Sequence, residues 1–386
     1  MQWDMASSAT NTVLLTLGRL PKALEIARCL HRAGCRVIVA EPLGWHLCKG
    51  SRAVSKCYRV TSPNDDRDRY RQDLIRIIEE ERVGLVIPVS EEIIHVAEAL
   101  ADGATTAHGV GASFPEILRY HDKAQFIALA KELGLRVPET AKAKSPEAAE
   151  IIQTDDFVIK PALGCAGSNL RFGVRGQEPA MTADEEGLIL QRRVRGQEIS
   201  TLSLCHSGSV LGTSVYKGLV LCGTVAVSFE RQDDLTSVEE WVRLFVERTR
   251  YSGFIAFDFI LDDKGDAWPI ECNPRVTSGV HFFDHDSLAK GLTEPSRDVH
   301  VRKNKKRRLQ DGHTTLALAY ANIARPRAFF RRVRLTLSIA DVKWSWQDPI
   351  PFLFMTTLSL PILWRMVSKR LRLAEATTID IEWRPR

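Results

Sequence analysis

Short apolar runs alternate with amphipathic stretches at the start of the chain. The run TVLLTLG at 12–18 is rich in aliphatic residues and stops at Gly18, which predicts a buried strand followed by a turn. This pattern is typical of a doubly wound α/β domain with an open parallel sheet, and we predict such a Rossmann-like domain over residues 1–115. The further predicted elements are helices over Pro21–Ala33, Arg69–Glu81 and Glu91–Leu100, and strands over Val37–Ala40 and Leu85–Val89.

The turn after the first predicted strand bears on nucleotide binding. It reads LGRLPKA at 17–23, with one glycine where the dinucleotide fingerprint needs three. This argues against a nicotinamide cofactor. Backbone amides at the start of the following helix are still expected to be able to face an acid group of a substrate.

The pattern changes in the middle of the chain. Residues 122–150 look helical, with breaks at Pro138 and Pro146. Short apolar strands separated by turn residues then predict antiparallel sheet, and a helix over Ser237–Thr249 interrupts them. The strands are expected at Phe157–Lys160, Leu188–Gln191, Ile199–Cys205, Val210–Val215, Phe254–Leu261 and Ala267–Glu271. We therefore predict an α+β region that is distinct from the first domain.

Composition narrows the class of protein. Hydrophobic residues make up 44% and charged residues 26% of the 386 residues, as in a globular protein with several domains. The eight cysteines form no CxxC pair, so the sequence favours reduced thiols over a zinc site or a disulfide framework. The N-terminus lacks the charged and apolar regions of a secretory signal. A cytoplasmic location is expected.

Charge is distributed unevenly along the chain. The net charge is +5, but residues 287–386 contain 20 Lys or Arg and 8 Asp or Glu, which gives +12 for this part. The run VRKNKKRR at 301–308 is expected to form an exposed loop. Residues 349–367 are apolar but contain three prolines, which favours a buried helical hairpin packed on the main body over a membrane span. Contact of 301–370 with a membrane surface is the less favoured alternative to a solvated basic face.

The segment GFIAFDFILDDKGDAWPIECNPR at 253–275 carries the strongest chemical pattern. Two strands joined by the turn Asp262–Gly265 predict a hairpin. Asp258 and Glu271 would then be cross-strand neighbours about 5 Å apart, and Asn273 would lie on the same face as Glu271. Two carboxylates inside apolar strands are costly unless a cation lies between them. These oxygen donors therefore predict a Mg²⁺ site.

Two further segments suit phosphate and nucleotide binding. In FVIKPALGCAGSNLRF at 157–172, a strand ends at Lys160 and a glycine-rich loop follows at 164–168. Its backbone N–H groups could close over a phosphate, and Lys160 would add a point charge, although the loop lacks the ending of a Walker motif. In LILQRRVRGQEIS at 188–200, a linker between two strands leads to Glu198. Each segment alone is also compatible with a purely structural role.

Together, these segments resemble the ATP-grasp superfamily over residues 12–283, with ECNPR at 271–275 and the upstream Asp258 as the most specific part. The resemblance implies a pre-ATP-grasp domain over 1–115, an ATP-grasp domain of two α+β lobes over 116–290, and a basic C-terminal extension over 291–386 that packs on the body. The implied ligands are ATP and Mg²⁺. For the nucleotide, the resemblance implies phosphate contacts from Lys123 and Lys160 and a phosphate-covering loop that includes Gly164, Gly167 and Ser168. It also implies an adenine hinge at Gln191, Arg192 and Val194 and a ribose contact from Glu198. For the chemistry, it implies magnesium ligation by Asp258, Glu271 and Asn273, and stabilisation of the transferred phosphoryl group by Arg275 with Lys160.

Three stretches suggest a closer likeness: KALEIARCLHRAGCRVIVAE at 22–41, FDFI with IECNPR, and DPIPFL at 348–353. They resemble the mycosporine-forming ATP-grasp ligases and other carbamoyl-phosphate-synthase-like ligases of secondary metabolism. The resemblance implies a carboxylate or vinylogous acid that is phosphorylated by Mg-ATP and then coupled to an amine, such as an amino acid.

Several alternatives to this activity stay open. The chain could be a nucleotide-binding protein without turnover, or an ATP-grasp kinase or carboxylase-like enzyme with no amine acceptor. His281 and His285 are candidates for deprotonating the amine, but ordinary loop histidines are an equal interpretation. The expected partners are the small-molecule acid and amine, with no nucleic acid, and a homo-oligomer is compatible with the sequence.

Overall fold

The computed structural model describes residues 11–103, 105–164, 170–179, 187–223, 225–320, 323 and 325–384. The first part of the chain forms a parallel sheet with strand order β3-β2-β1-β4-β5, as predicted. Its strands are β1 (Thr12–Leu15), β2 (Arg36–Glu41), β3 (Lys56–Arg59), β4 (Leu85–Ile87) and β5 (His108–Gly109), and its helices are α1 (Pro21–Arg32), α2 (Arg67–Glu81) and α3 (Ile93–Ala99).

Apolar faces on both sides of this sheet explain why the segment folds as it does. Val13 and Leu15 of β1 pack towards α1, whereas Leu14 packs towards α2, and all three are fully buried. Strands buried on both faces show a continuous apolar run. Local caps set the helix ends: the Asp66 side chain accepts a hydrogen bond from the backbone N–H of Arg69 at the start of α2.

A small four-stranded antiparallel sheet follows, with strand order β6-β9-β7-β8. Its elements are β6 (Thr140–Lys142), α6 (Pro146–Thr154), β7 (Phe157–Pro161), β8 (Arg171–Gly173) and β9 (Leu188–Arg192), and the preceding helices are α4 (Phe114–His121) and α5 (Lys123–Glu132). Helix α6 packs on β6 and β9 through Ile151 and Ile152. The sequence pattern predicted helices over 122–150 with breaks at Pro138 and Pro146, but it missed the short strand β6, which lies between these prolines.

The large sheet has strand order β14-β13-β10-β11-β12-β15-β16. It is antiparallel except for the β15–β16 pair. Helices α5 and α7 cover one face, where an aromatic core that includes Phe126, Trp241 and Phe257 is buried. The sheet's elements are β10 (Gln197–His206), β11 (Ser209–Cys222), β12 (Val225–Gln232), α7 (Thr236–Thr249), β13 (Gly253–Leu261), β14 (Ala267–Asn273), β15 (Arg308–Gln310) and β16 (Ala340–Asp341).

The remaining helices pack on the large sheet, on the first domain or on one another. They are α8 (His285–Thr293), α9 (Gly312–Tyr320), α10 (Pro326–Ser338), α11 (Ile350–Leu353), α12 (Met355–Leu358), α13 (Leu360–Ser368) and α14 (Leu373–Thr378). Helix α8 packs on α1 of the first domain. The basic run 301–308 is largely exposed, as predicted, but Asn304 anchors it by donating hydrogen bonds to the carbonyls of His281 and Phe283.

The apolar segment 349–367 is not a buried hairpin, which corrects the sequence-based expectation. It forms three short helices, and Pro361 in the first turn of α13 lacks the N–H that would continue α12. One side packs on the first domain, where Ile362 joins Leu43 and Ala376, and the other side stays exposed. Among the residues that the structure describes, no helix combines the length and the apolar character that crossing a bilayer requires.

Candidate functional site

Strands β13 and β14 bring the three predicted magnesium ligands together. Asp258 pairs directly with Glu271, and Ala256 pairs with Asn273, so all three polar side chains lie on one face of the hairpin. Asn273 donates a hydrogen bond from Nδ2 to Asp258 Oδ2 at 3.2 Å. Ser200 of the neighbouring strand β10 donates to Asp258 Oδ1 at 2.6 Å. The hairpin thus forms an acidic cluster with its oxygens facing one side.

Ionising both carboxylates of the acidic cluster is unfavourable unless a cation lies beside them. Burial raises the pKa of Asp258 to about 7, with the negative charge of Glu271 adding to the effect, and the hydrogen bond from Ser200 only partly opposes it. Glu198 lies on the same face of the sheet, and burial and the charge of Glu271 raise its pKa as well. Such a cluster of acidic groups favours a bound cation.

Two lysines lie beside these carboxylates, Lys123 on α5 and Lys160 on β7 of the small sheet. Lys123, the first residue of α5, places its Nζ 3.6 Å from Glu271 Oε1 and donates to the carbonyl of Gly164 at 2.8 Å. Lys160 of β7 donates to Gln191 Oε1 at 2.9 Å and to the carbonyl of Ile270 at 2.8 Å. Burial lowers the pKa of Lys160 to about 8, although Glu271 partly offsets this. Both ammonium groups are therefore buried beside the acidic cluster.

Arg275 connects the cluster to the first domain. Its Nη2 donates to Asn273 Oδ1 at 3.0 Å and lies 2.5 Å from Glu91 Oε1, just beyond β4. His121, at the end of α4, is buried among these groups. Burial lowers the pKa of His121. The positive charges of Lys123 and Arg275 lower it further, whereas the negative charges of Glu91 and Glu271 raise it. The first domain, the small sheet and the large sheet thus meet at this site.

The residues expected at the adenine hinge have distinct surroundings. Gln191 is buried and holds Lys160 through Oε1 while donating from Nε2 to Thr140 Oγ1 at 2.8 Å. The guanidinium of Arg192 lies 4.9 Å from the ring centroid of Trp268. Val194 is half-buried in the connection between β9 and β10. The side chain of Gln191 therefore holds the Lys160 ammonium, and that of Arg192 packs on Trp268.

Part of the predicted phosphate-covering loop can be placed. Gly164 has φ +129, which side-chain-bearing residues rarely adopt, and its carbonyl is held by Lys123. Gly167 and Ser168 lie outside the described residues.

A family model for the ATP-grasp domain matches residues 120–279. This span contains all the predicted site residues, from Lys123 to Arg275. Residues 120–279 have the fold of an ATP-grasp domain.

Solved structures share this fold at low sequence identity. The N5-carboxyaminoimidazole synthetase of Staphylococcus aureus has 14% identity and a TM-score of 0.60, over 78% of this chain and 82% of that one. The L-amino acid ligase of Bacillus licheniformis has 16% identity and a TM-score of 0.57, over 77% and 78%. The biotin carboxylase domain of 2-oxoglutarate carboxylase from Hydrogenobacter thermophilus, solved with MgADP, has 16% identity and a TM-score of 0.59, over 76% and 72%. These likenesses extend the shared fold beyond the ATP-grasp domain into the parallel sheet.

The turn after β1 has its backbone held by a side chain of the same domain. The carboxylate of Glu41 accepts the N–H of Gly18 at 2.9 Å and also contacts Arg19. Glu92 does the same after β4, where it accepts the N–H groups of Val89 and Ser90. Both carboxylates are buried. Gly18 precedes α1, so contact of an acid group with the amides at the start of α1 stays a prediction.

The two histidines considered as bases for the amine face the first domain instead. His281 Nδ1 lies 3.1 Å from Glu25 Oε2, and His285 Nε2 lies 2.5 Å from Glu25 Oε1. Burial opposes ionisation of Glu25, but the hydrogen bonds with both histidines outweigh it and lower the pKa of Glu25. This geometry gives the two histidines a role in joining α1 to the segment that follows β14.

Sequence reasoning missed three residues of the site: Glu91, His121 and Ser200. Two of them could have been found from the sequence. Glu91 follows a predicted parallel strand, and ligands bind at the carboxyl ends of such strands. His121 directly precedes Asp122-Lys123. Ser200 could be found only from the register of β10 against β13.

Proposed function

We propose that the chain binds Mg-ATP between its two antiparallel sheets, transfers the γ-phosphoryl group to the acid group of a small molecule, and couples the activated acid to an amine. The observation that carries this proposal is the meeting of Lys123 and Lys160 with the acidic cluster of Asp258, Glu271 and Asn273. Cations for phosphates and oxygen ligands for a divalent metal are the two requirements of phosphoryl transfer, and both lie in one site.

The acidic cluster fits Mg²⁺. Its donors are two carboxylates and an amide oxygen, the hard ligands that Mg²⁺ prefers. Burial and the charge of Glu271 raise the pKa of Asp258, so a cation bound beside both carboxylates would favour the ionised form. Asn273 Oδ1 accepts a hydrogen bond from Arg275 at 3.0 Å and retains a second lone pair. Bound Mg²⁺ would neutralise charge on the phosphate oxygens during transfer.

The protein's own groups would position the reactants. Lys160 and Lys123 would bind phosphate oxygens, and the loop from Gly164 to Ser168 would close over them and exclude water. Backbone groups near Val194 would contact the adenine, and Glu198 would accept from ribose hydroxyls. Arg275 would stabilise the phosphoryl group in transfer. Its link to Glu91 favours an acid substrate that enters from the first-domain side.

The proposed chemistry has two steps. An oxygen of a carboxylate or vinylogous acid attacks the γ-phosphorus, and ADP leaves. The amine nitrogen of an amino acid then attacks the activated carbon, loses a proton, and displaces inorganic phosphate. The fold shared with an L-amino acid ligase supports coupling to an amine, and the sequence likeness to mycosporine-forming ligases favours a role in secondary metabolism.

A second candidate keeps the phosphoryl transfer but has no amine acceptor. The fold shared with N5-carboxyaminoimidazole synthetase and with a biotin carboxylase favours considering carboxylation. The two candidates differ in the product. Mass spectrometry of reactions that contain amino acids, or bicarbonate with an acceptor, separates a new C–N bond to an amino acid from a carboxylated product.

The decisive experiment measures ADP release from Mg-ATP with panels of acids and amines. We expect release that depends on both, and loss of turnover in Glu271→Gln, because that change removes a ligand charge from the acidic cluster. Asp263→Asn is the matched control, since Asp263 is exposed in the turn of the same hairpin. Mg-ATP binding without ADP release under any substrate pair would instead support a non-catalytic nucleotide-binding protein. Near-normal turnover of the folded Glu271→Gln variant would remove Glu271 from the site.

A further inference from the structure

Helices α11 to α13 expose a row of apolar side chains. On α13, Trp364 and Val367 are 72% and 77% exposed, and their neighbours recur at the spacing of one helix face. We call this row the apolar strip; it comprises Leu353, Phe354, Leu360, Leu363, Trp364 and Val367. The opposite side already packs on the first domain through Leu358 and Ile362. The apolar strip is therefore not needed for packing within the fold, and exposed apolar patches of this kind mark interaction surfaces.

Helix α10 adds exposed positive charge next to apolar side chains. Phe330 is 68% and Leu337 83% exposed, and Arg327, Arg331 and Arg334 lie on the same exposed face. The sequence contains no Asp or Glu over residues 312–340 or 349–374. This helix thus has the composition of an amphipathic helix that lies at a membrane interface.

Helix α9 joins these two features into one region. Tyr320 of α9 contacts Phe329 of α10, with ring centroids 5.8 Å apart. At its other end, His313 contacts Phe352 of α11 at 4.8 Å. Helix α9 thus contacts both the basic helix α10 and α11 of the apolar strip, which makes them neighbouring elements.

We propose that this surface docks on a bilayer that contains anionic lipids. Apolar side chains would enter the boundary between headgroups and acyl chains, Trp364 would lie at the interface, and the arginines would contact lipid phosphates. A second copy of the chain fits less well, because a two-fold contact would bring the same positive charges together. The contact is peripheral, since no helix in the described part of the chain is long and apolar enough to span a bilayer.

Vesicle sedimentation of the full chain tests this proposal. The vesicles are phosphatidylcholine alone, and phosphatidylcholine with an equal part of phosphatidylglycerol. We expect binding to the anionic vesicles that weakens as salt is added. Each basic residue near an anionic surface strengthens binding about fivefold, so Arg331→Glu with Arg334→Glu should weaken it by at least about 25-fold. Trp364→Ser with Val367→Ser should also weaken it.

Two matched controls separate this surface from general charge and hydrophobicity. Lys131→Glu with Lys142→Glu reverses two exposed charges elsewhere, and Trp45→Ser removes an exposed tryptophan of the first domain. Both should bind vesicles like the parent, and thermal unfolding checks that all variants fold. Binding to neither vesicle, equal binding to both, or equal losses in the controls would overturn the proposal. So would a dimer, seen by ultracentrifugation, that Trp364→Ser abolishes, because the surface would then belong to a second copy.

Discussion

Two hydrogen bonds hold the buried ammonium group of Lys160 in the site. Its ammonium is buried, and Gln191 and the carbonyl of Ile270 accept its hydrogen bonds at 2.9 and 2.8 Å. A buried charge is tolerated only when its hydrogen bonds are satisfied. The sequence identified both residues, but it assigned Gln191 to adenine, because side-chain direction in β9 depends on the register with β6 and β7.

We expect Gln191→Met to cost about 1–3 kcal/mol of unfolding free energy, because it leaves the buried Lys160 ammonium short of an acceptor. The double variant Lys160→Met with Gln191→Met should cost less than the sum of the single changes, since the unsatisfied charge is then gone. Denaturant unfolding without nucleotide measures all three. Additive effects would show that the two side chains are not coupled. Lys142→Met, on exposed β6, should have little effect.

The connection from β9 of the small sheet to β10 of the large sheet requires a glycine at position 196. Gly196 has φ +157, and a Cβ there would lie 2.1 Å from the carbonyl oxygen of Leu261. Strand β10 therefore passes close to the end of β13 only because position 196 has no side chain. This close approach fixes the position of Glu198 relative to the acidic cluster.

Replacing Gly196 tests this approach. Gly196→Ala should cost about 2–5 kcal/mol, because backbone strain and overlap with the Leu261 carbonyl add. Gly187→Ala is the control, since Gly187 has φ +77 but an added Cβ would meet no atom within 4 Å, and it should cost only about 1–2 kcal/mol. Equal losses of stability in the two variants would show that the close approach is unimportant.

Elements were predictable where their pattern is strong and long. The hairpin of β13 and β14 was found with its register, because Asp258 and Glu271 interrupt apolar runs on either side of a clear turn. Strands β8, β15 and β16 were missed, since two or three residues carry no periodicity. Strand β12 was missed because its residues mix burial and exposure and its position depends on pairing with β11.

At the scale of the whole molecule, Glu25 joins the first domain to the segment after β14 through His281 and His285. Its pKa is lowered despite burial, because hydrogen bonds with the two histidines favour the carboxylate. A lowered carboxyl pKa stabilises the fold above the unfolded value of about 4, and this stabilisation is lost as pH falls through the folded pKa.

We therefore expect Glu25→Gln to reduce stability at pH 7 by about 1–3 kcal/mol. The difference from the parent should shrink as the pH falls below about 4. Thermal unfolding across this pH range measures it, with Glu240→Gln as the control because Glu240 is exposed on α7. A difference that does not change with pH would remove ionised Glu25 as the cause.

The contacts of the last part of the chain with the first could not be predicted. Arg19 binds Glu41 and Asp380, and Asp380 is 361 residues away in sequence. Arg28 binds Asp348, which also accepts from Ser51. Each partner alone is an ordinary charged residue in the sequence, and only the folded chain shows that these arginines are buried.

These distant pairs have a consequence for the order in which the protein is made. A ribosome releases Arg19 and Arg28 early, but Asp348 and Asp380 emerge hundreds of residues later. Until then, Arg28 lacks the carboxylate of Asp348 and Arg19 has only Glu41 of its two carboxylate partners, and burying an unpaired guanidinium is strongly unfavourable. The domain that is synthesised first is therefore expected to complete its packing only after the last part of the chain has been made.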